Sequence, residues 1–143
     1  KNQWRHRMED PRGVSIDETI NRWHTYGVPS NKTVLVLPLF ARTWTLEGGS
    51  KGNVQLGFTN GFCGLPGPIT REAGMLSYYE AKLLSQMEGS SVFYDEGTDS
   101  ILIITSQGQL VSFDGRQTLE KKVEYALSNG LSGVGLWSID MDS

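Results

Sequence analysis

Gly133-Val134-Gly135-Leu136-Trp137-Ser138-Ile139-Asp140-Met141-Asp142 decides the fold of this chain. From Val134 to Ile139 the side chains are apolar almost without alternation, which is the pattern of a strand covered on both faces, as in a parallel sheet. The run ends in an aromatic and two carboxylates, with no further element after it. A strand of this kind at the very end of a chain reads as one strand of a larger barrel, and the 143 residues read as the closing segment of a domain.

A second run of the same character, Val34-Leu35-Val36-Leu37-Pro38-Leu39-Phe40, lies near the start. It follows a helix predicted over residues 15–26. Ser15-Ile16-Asp17-Glu18 forms a capping box, Ile16, Ile20 and Trp23 recur at helical spacing, and Gly27 with Pro29 stops the run. Asp114-Gly115-Arg116-Gln117 reads as another capping box, opening a helix with Leu119, Val123, Ala126 and Leu127 on one face. Each helix is followed by a buried-looking strand.

Between these two units the pattern changes. Seven glycines fall between Gly48 and Gly67, so that stretch is expected to be a loop. Thr70 is expected to cap a helix bearing Leu76, Tyr79, Leu83 and Met87, ended by Gly89. Three short β runs follow, Val92 to Tyr94, Ile101 to Thr105 and Leu110 to Phe113, with turn signals between them. The fold class is therefore α/β: the C-terminal part of a (β/α)8 TIM-type barrel interrupted by a small α+β insertion domain. The expected boundaries are 1–46 for the first barrel segment, 47–113 for the insertion and 114–143 for the second barrel segment.

Composition narrows the partners. Thirteen basic residues against sixteen acidic ones give a net charge of −3 without a like-charged block, so no nucleic-acid footprint is visible. No apolar run reaches the roughly 20 residues that span a bilayer, so no membrane partner is expected. Cys63 is the only cysteine, and no disulfide can form within the chain. Neither His6 nor His24 stands at the carboxylate-histidine spacing of a metal site, so no metal and no cofactor is expected. Asn31-Lys32-Thr33 is a glycosylation sequon just after a turn. The first residue is Lys, so any signal peptide is expected to lie upstream or to have been removed.

Four segments carry a resemblance. Pro38-Leu39-Phe40-Ala41-Arg42-Thr43-Trp44 is similar to the seventh barrel strand of the family 18 glycoside hydrolases, the chitinases and chitinase-like lectins, where the pattern is Pro-Phe-Tyr-Gly-Arg-(Ser/Thr)-Phe. Gly67-Pro68-Ile69-Thr70-Arg71-Glu72-Ala73-Gly74-Met75-Leu76-Ser77-Tyr78-Tyr79-Glu80 resembles the signature of that family's insertion domain. Val111-Ser112-Phe113-Asp114 fits its later Trp-Val-x-Tyr-Asp, and Gly133 to Asp142 fits the eighth strand. The four occur in the family's order across residues 15–143.

The resemblance implies a secreted protein acting on chitin or chitooligosaccharides, polymers of β-1,4-linked N-acetylglucosamine, in a cleft at the C-terminal ends of the barrel strands. The substrate's own N-acetyl oxygen attacks the anomeric carbon with retention, so no protein nucleophile is needed, only a general acid. That acid closes an Asp-x-x-Asp-x-Asp-x-Glu motif on the fourth strand, which does not occur in this sequence and is expected before residue 1. No catalytic residue is therefore assigned here, and the remainder of the barrel is an expected partner.

Substrate-binding positions follow one by one. Trp137 is implied as the floor of the subsite for the cleaved sugar, where an indole face can stack on a pyranose; a core tryptophan filling the barrel end is the alternative. Arg42 offers five fixed donors suited to sugar oxygens, or is a solvated loop arginine. Phe40 stands where the family usually has Tyr, so the hydroxyl that bonds the N-acetyl group is missing. Glu72 matches a carboxylate that bonds sugar hydroxyls, or serves as a first-turn dipole partner. Gly135 replaces the Met of many members. Asp140 and Asp142 match acidic positions, but carboxylates beyond a strand end are more often caps or ion-pair partners, and neither is assigned a catalytic part. Two functions remain open, a chitinase and a chitinase-like lectin that binds without cleaving.

Overall fold

The computed structural model describes residues 15–46, 59–96 and 98–142; residues 48–58 of the expected glycine loop and the basic segment around His6 lie outside them. Helix α1 (Ile16–Thr25) carries the capping box read from sequence: Ser15 Oγ accepts from the Glu18 amide and Glu18 Oε2 accepts from the Ser15 amide. After a 3-10 turn at Ser30–Lys32 comes strand β1 (Val34–Pro38). It pairs in parallel with β8 (Gly133–Trp137), from Val34 opposite Gly133 to Pro38 opposite Trp137.

The apolar run does not continue as one strand. Leu39 breaks it, and strand β2 (Phe40–Leu46) belongs to a separate six-stranded sheet. Proline at position 38 has no amide to donate; the next amide, Leu39 N, donates to Trp137 O at 2.7 Å. On the other side of the same residue, Leu39 O accepts from the Tyr78 amide at 3.2 Å. Leu39 is thus the joint between the two sheets.

The larger sheet is antiparallel. One edge of β2 carries β3 (Thr59–Cys63) and β4 (Met75–Ser77), and its other edge carries β7 (Gln109–Phe113), then β6 (Ser100–Ile104) and β5 (Ser91–Asp95). Helix α2 (Tyr78–Gln86) packs on one face. There Ala41, Leu76, Ala81, Ile103, Val111 and Phe113 form the core, with Tyr78 edge-on to Phe113 at 6.0 Å between ring centroids. The other face gathers Leu46, Leu102, Ile104 and Leu110, with Trp44 half-buried against them. Helix α3 (Arg116–Ser128) returns the chain to β8, and Ile20, Ala126 and Leu131 pack α1 and α3 together beside Leu35 and Tyr125.

Four expectations change. The helix placed after Thr70 begins only at Tyr78, capped by Ser77, because Arg71 at φ 54° and Gly74 at φ 84° turn the chain and Met75 to Ser77 then pair with β2. Within the expected glycine loop, Thr59–Cys63 is a strand. Asp114 does not cap α3, whose N-cap is Gly115 with no side-chain bond; Asp114 instead accepts from Thr118 Oγ1 at 2.9 Å and from Lys122. Finally, the two parallel strands are not covered on both faces. Val34 and Val36 are 51% and 54% exposed, and Val134 and Leu136 are also open, because burial of a parallel sheet comes from layers packed on its faces, and here the helix cluster reaches Leu35 and leaves these side chains uncovered.

Candidate functional site

Trp137 is the last residue of β8, at the C-terminal end of the parallel pair, with 65% of its surface exposed. Its peptide bond to Ser138 is cis. In the parallel ladder Trp137 shares a face with Gly135, Val36 and Val34 by the period-two alternation of strands. A Cβ placed on Gly135 would meet Val36 and Val34 at 3.7 and 3.8 Å, ordinary contact, so the chain is not forced by space to carry glycine there.

Phe40 and Arg42 lie just beyond the Leu39 joint, two apart on β2 and therefore on one face of the sheet. The Arg42 guanidinium sits 5.0 Å from the Phe40 ring centroid, a cation–π contact. The ring that lacks a hydroxyl thus orients the neighbouring donor. Arg42 is exposed and pairs in register with Met75 on one edge and Ser112 on the other.

Glu72 is exposed in the connection between β3 and β4, not in a helix, so its expected part as a first-turn dipole partner falls away. Its carbonyl accepts from the Met75 amide at 3.4 Å, and Met75 lies opposite Arg42. The backbone therefore links the four positions in sequence: Trp137 to Leu39, Leu39 to Phe40, Phe40 to Arg42, and Arg42 through Met75 to Glu72. Of these, Phe40 and Arg42 are brought into direct side-chain contact. Asp140 and Asp142 lie in or beside the 3-10 turn at Ile139–Met141, past the strand end. A cavity of about 300 Å³ runs between α2 and the loop Leu65–Pro68.

The best-defined electrostatic feature is a carboxylate that the sequence reading passed over. Glu80 is only 3% exposed. Its Oε1 accepts from the amides of Ile69 at 2.6 Å and Thr70 at 3.2 Å, and its Oε2 from the amide of Ser77 at 2.8 Å and the hydroxyl of Thr70 at 3.0 Å. Burial alone would raise its pKa, yet these donors outweigh burial and hold it below the ordinary carboxylate value. The signal was legible: Ser77-Tyr78-Tyr79-Glu80 is a capping box, and both of its hydrogen bonds form. Met75, set opposite Arg42, was also missed, because only strand pairing brings the two together.

Between α3 and α1, Tyr125 donates to Asp17 Oδ1 at 2.9 Å, and burial together with that carboxylate raises its pKa to about 12. On the surface, Lys121 bonds both Asp99 and Tyr94, tying the β5–β6 turn to α3.

The geometry defines an α/β protein whose parallel strands end beside an antiparallel module, and its sequence places it in a family. The glycosyl hydrolases family 18 profile matches residues 2–142, and this chain belongs to that family. Chitotriosidase-1 of Mus musculus is 31% identical over 131 residues, 90% of this chain and 26% of that protein. Among solved structures, human YKL-39, a pseudo-chitinase with retained chitooligosaccharide binding properties, superposes with a TM-score of 0.78 at 27% identity, over 88% of this chain and 33% of that one. The Group IV chitinase of Ostrinia furnacalis in complex with allosamidin gives a TM-score of 0.79 at 30% identity, over 94% of this chain and 35% of that one. The chain thus spans between a quarter and about a third of these three proteins.

Proposed function

We propose that this chain is the C-terminal barrel segment and insertion domain of a secreted chitinase-like protein that binds chitooligosaccharides. The proposed boundaries are 1–46, 47–113 and 114–143, with the middle part forming one wall of the cleft. The observation that carries the reading is the exposed indole of Trp137 at the C-terminal end of β8, one hydrogen bond from the joint that leads into Phe40 and Arg42. A flat apolar ring beside fixed donors is what a pyranose with its ring of hydroxyls requires. Relatives of both kinds support the ligand class, since human YKL-39 retains chitooligosaccharide binding and the Ostrinia enzyme is a chitinase.

In this reading Trp137 stacks under the sugar next to the cleaved bond, Arg42 donates to sugar oxygens with its plane set by Phe40, and Glu72 accepts from hydroxyls further along the chain. With the rest of the barrel present, hydrolysis would be substrate-assisted: the N-acetyl oxygen attacks the anomeric carbon while a general acid outside these residues protonates the leaving oxygen. Asn31, exposed in the 3-10 turn before β1, would carry the glycan.

A second reading is favoured by Phe40. With no hydroxyl at that position the transition state loses a donor worth on the order of 1 to 3 kcal/mol, which suits a lectin that binds without cleaving. Turnover of a chitooligosaccharide by the complete protein separates the two. Cleavage with retention supports the hydrolase; tight binding without turnover supports the lectin; neither binding nor turnover would sink both.

A further inference from the structure

We propose that Glu80 is a positioning residue that holds the loop bearing Glu72 in its sugar-binding place, an inference that rests on the reading of Glu72 as a sugar contact. Glu72 lies in the connection running from β3 to β4, whose ends are tied by the Gly74 amide donating to Gly64 O at 3.0 Å and the Leu65 amide donating to Gln109 Oε1 at 2.7 Å. Between those ties, the part that leads into Glu72 is gathered by one buried side chain from α2. Glu80 gathers the amides of Ile69 and Thr70, three and two residues before Glu72, and the amide of Ser77, five residues after it. The Thr70 hydroxyl lies within bonding distance of both Glu80 Oε2 at 3.0 Å and Met75 O at 3.2 Å, so the same point also touches the strand opposite Arg42.

Space reinforces the bonds. Gly67, which accepts from the Arg71 amide to close the turn, passes so near Glu80 that a Cβ there would lie 2.2 Å from Oε1. Arg71, adjacent to Glu72, takes φ 54°, an unfavourable conformation for a side-chain-bearing residue that persists only where its surroundings hold it. A carboxylate is the right group for this task, since it has acceptors only, and every partner turned towards it is a donor. An amide in its place would aim two N–H groups at N–H groups.

The test is a double-mutant cycle in the complete protein, read by chitotetraose affinity, by thermal unfolding and by hydrogen exchange at the Ile69 and Thr70 amides. Glu72→Gln should weaken binding roughly threefold to tenfold. Glu80→Gln should weaken it by a similar factor and speed exchange at both amides, and the double variant should bind no more weakly than Glu72→Gln alone. Ile103→Val, which loosens the core cluster beneath α2 from the β6 side, should lower the unfolding temperature and leave affinity unchanged, and Thr70→Val should reproduce part of the Glu80 effect if Glu80→Gln does not fold. Unaltered exchange, wild-type affinity in Glu80→Gln, or fully additive losses would overturn the proposal. Wild-type affinity in Glu72→Gln combined with fast exchange in Glu80→Gln would instead overturn the sugar contact at Glu72, and with it the route by which Glu80 acts.

Discussion

Phe40 stands where the resemblance leads one to expect Tyr, and its ring has a contact of its own. Its ring lies under Arg42 and limits where that guanidinium can point. Phe40→Tyr should keep this contact and add a donor, strengthening chitooligosaccharide binding or kcat/KM by about 1 kcal/mol, roughly fivefold, which titration or kinetics would register. Single residues were legible here wherever their chemistry is local. Trp137, Arg42 and Glu72 stood out as an aromatic, a fork of donors and a carboxylate in recognisable strings. Glu80 stood out only in part: the capping box displays its bond to Ser77, but the three donors from Ile69 and Thr70 converge on it from a second segment, which that short string does not display. Tyr125 is similar, its partner Asp17 being 108 positions away. Because its native pKa is raised from 10.0 to about 12, the stability it contributes is complete below pH 10 and is lost as pH climbs towards 12. Alkaline unfolding curves of wild type and Tyr125→Phe should therefore differ across that window, the variant losing the pH-dependent component; superimposable curves would remove the link.

At the scale of elements, helices α1 and α3 and strands β5 to β8 fall where periodicity placed them, because each is long enough to show its own repeat. The failures cluster around Leu39 and Gly74. A continuous apolar run concealed a change of sheet at Leu39, as side chains buried in either sheet look alike in sequence. Leu76, Tyr79 and Leu83 stand at helical spacing, yet Leu76 belongs to β4, and the helix waits for the Ser77 cap. Local pattern lost there to a turn whose geometry depends on contact with α2. Gly67 measures how tight that contact is. Gly67→Ala would drive a methyl group into Glu80 and to 2.6 Å from Leu76 Cδ2, so it should cost about 1 to 3 kcal/mol of stability. Denaturant unfolding would detect the loss, and an unchanged midpoint would mean that the loop is looser than described.

For the whole molecule, the two sheets differ in completeness. The six-stranded sheet has a helix on one face and two apolar clusters of its own. The parallel pair has helices on one side, while Val34, Val36 and Trp137 face away from Leu37 into open space. Such a surface is normally covered, and in the proposed barrel the remaining strands would cover it. The 143 residues prepared alone should consequently bind an environment-sensitive apolar dye and self-associate on dilution from denaturant. A monomer that unfolds cooperatively and leaves the dye dark would contradict the barrel reading.

The central claim is that the exposed indole at the end of β8 is a sugar platform, and calorimetric titration of chitotetraose into the complete protein, wild type beside Trp137→Ala, tests it most directly. Loss of stacking should weaken binding by about 2 kcal/mol, roughly thirtyfold, with the unfolding temperature little changed because the side chain is largely exposed. Equal affinities in the two proteins would show that Trp137 has only a packing part at the end of β8 and that the sugar binds elsewhere.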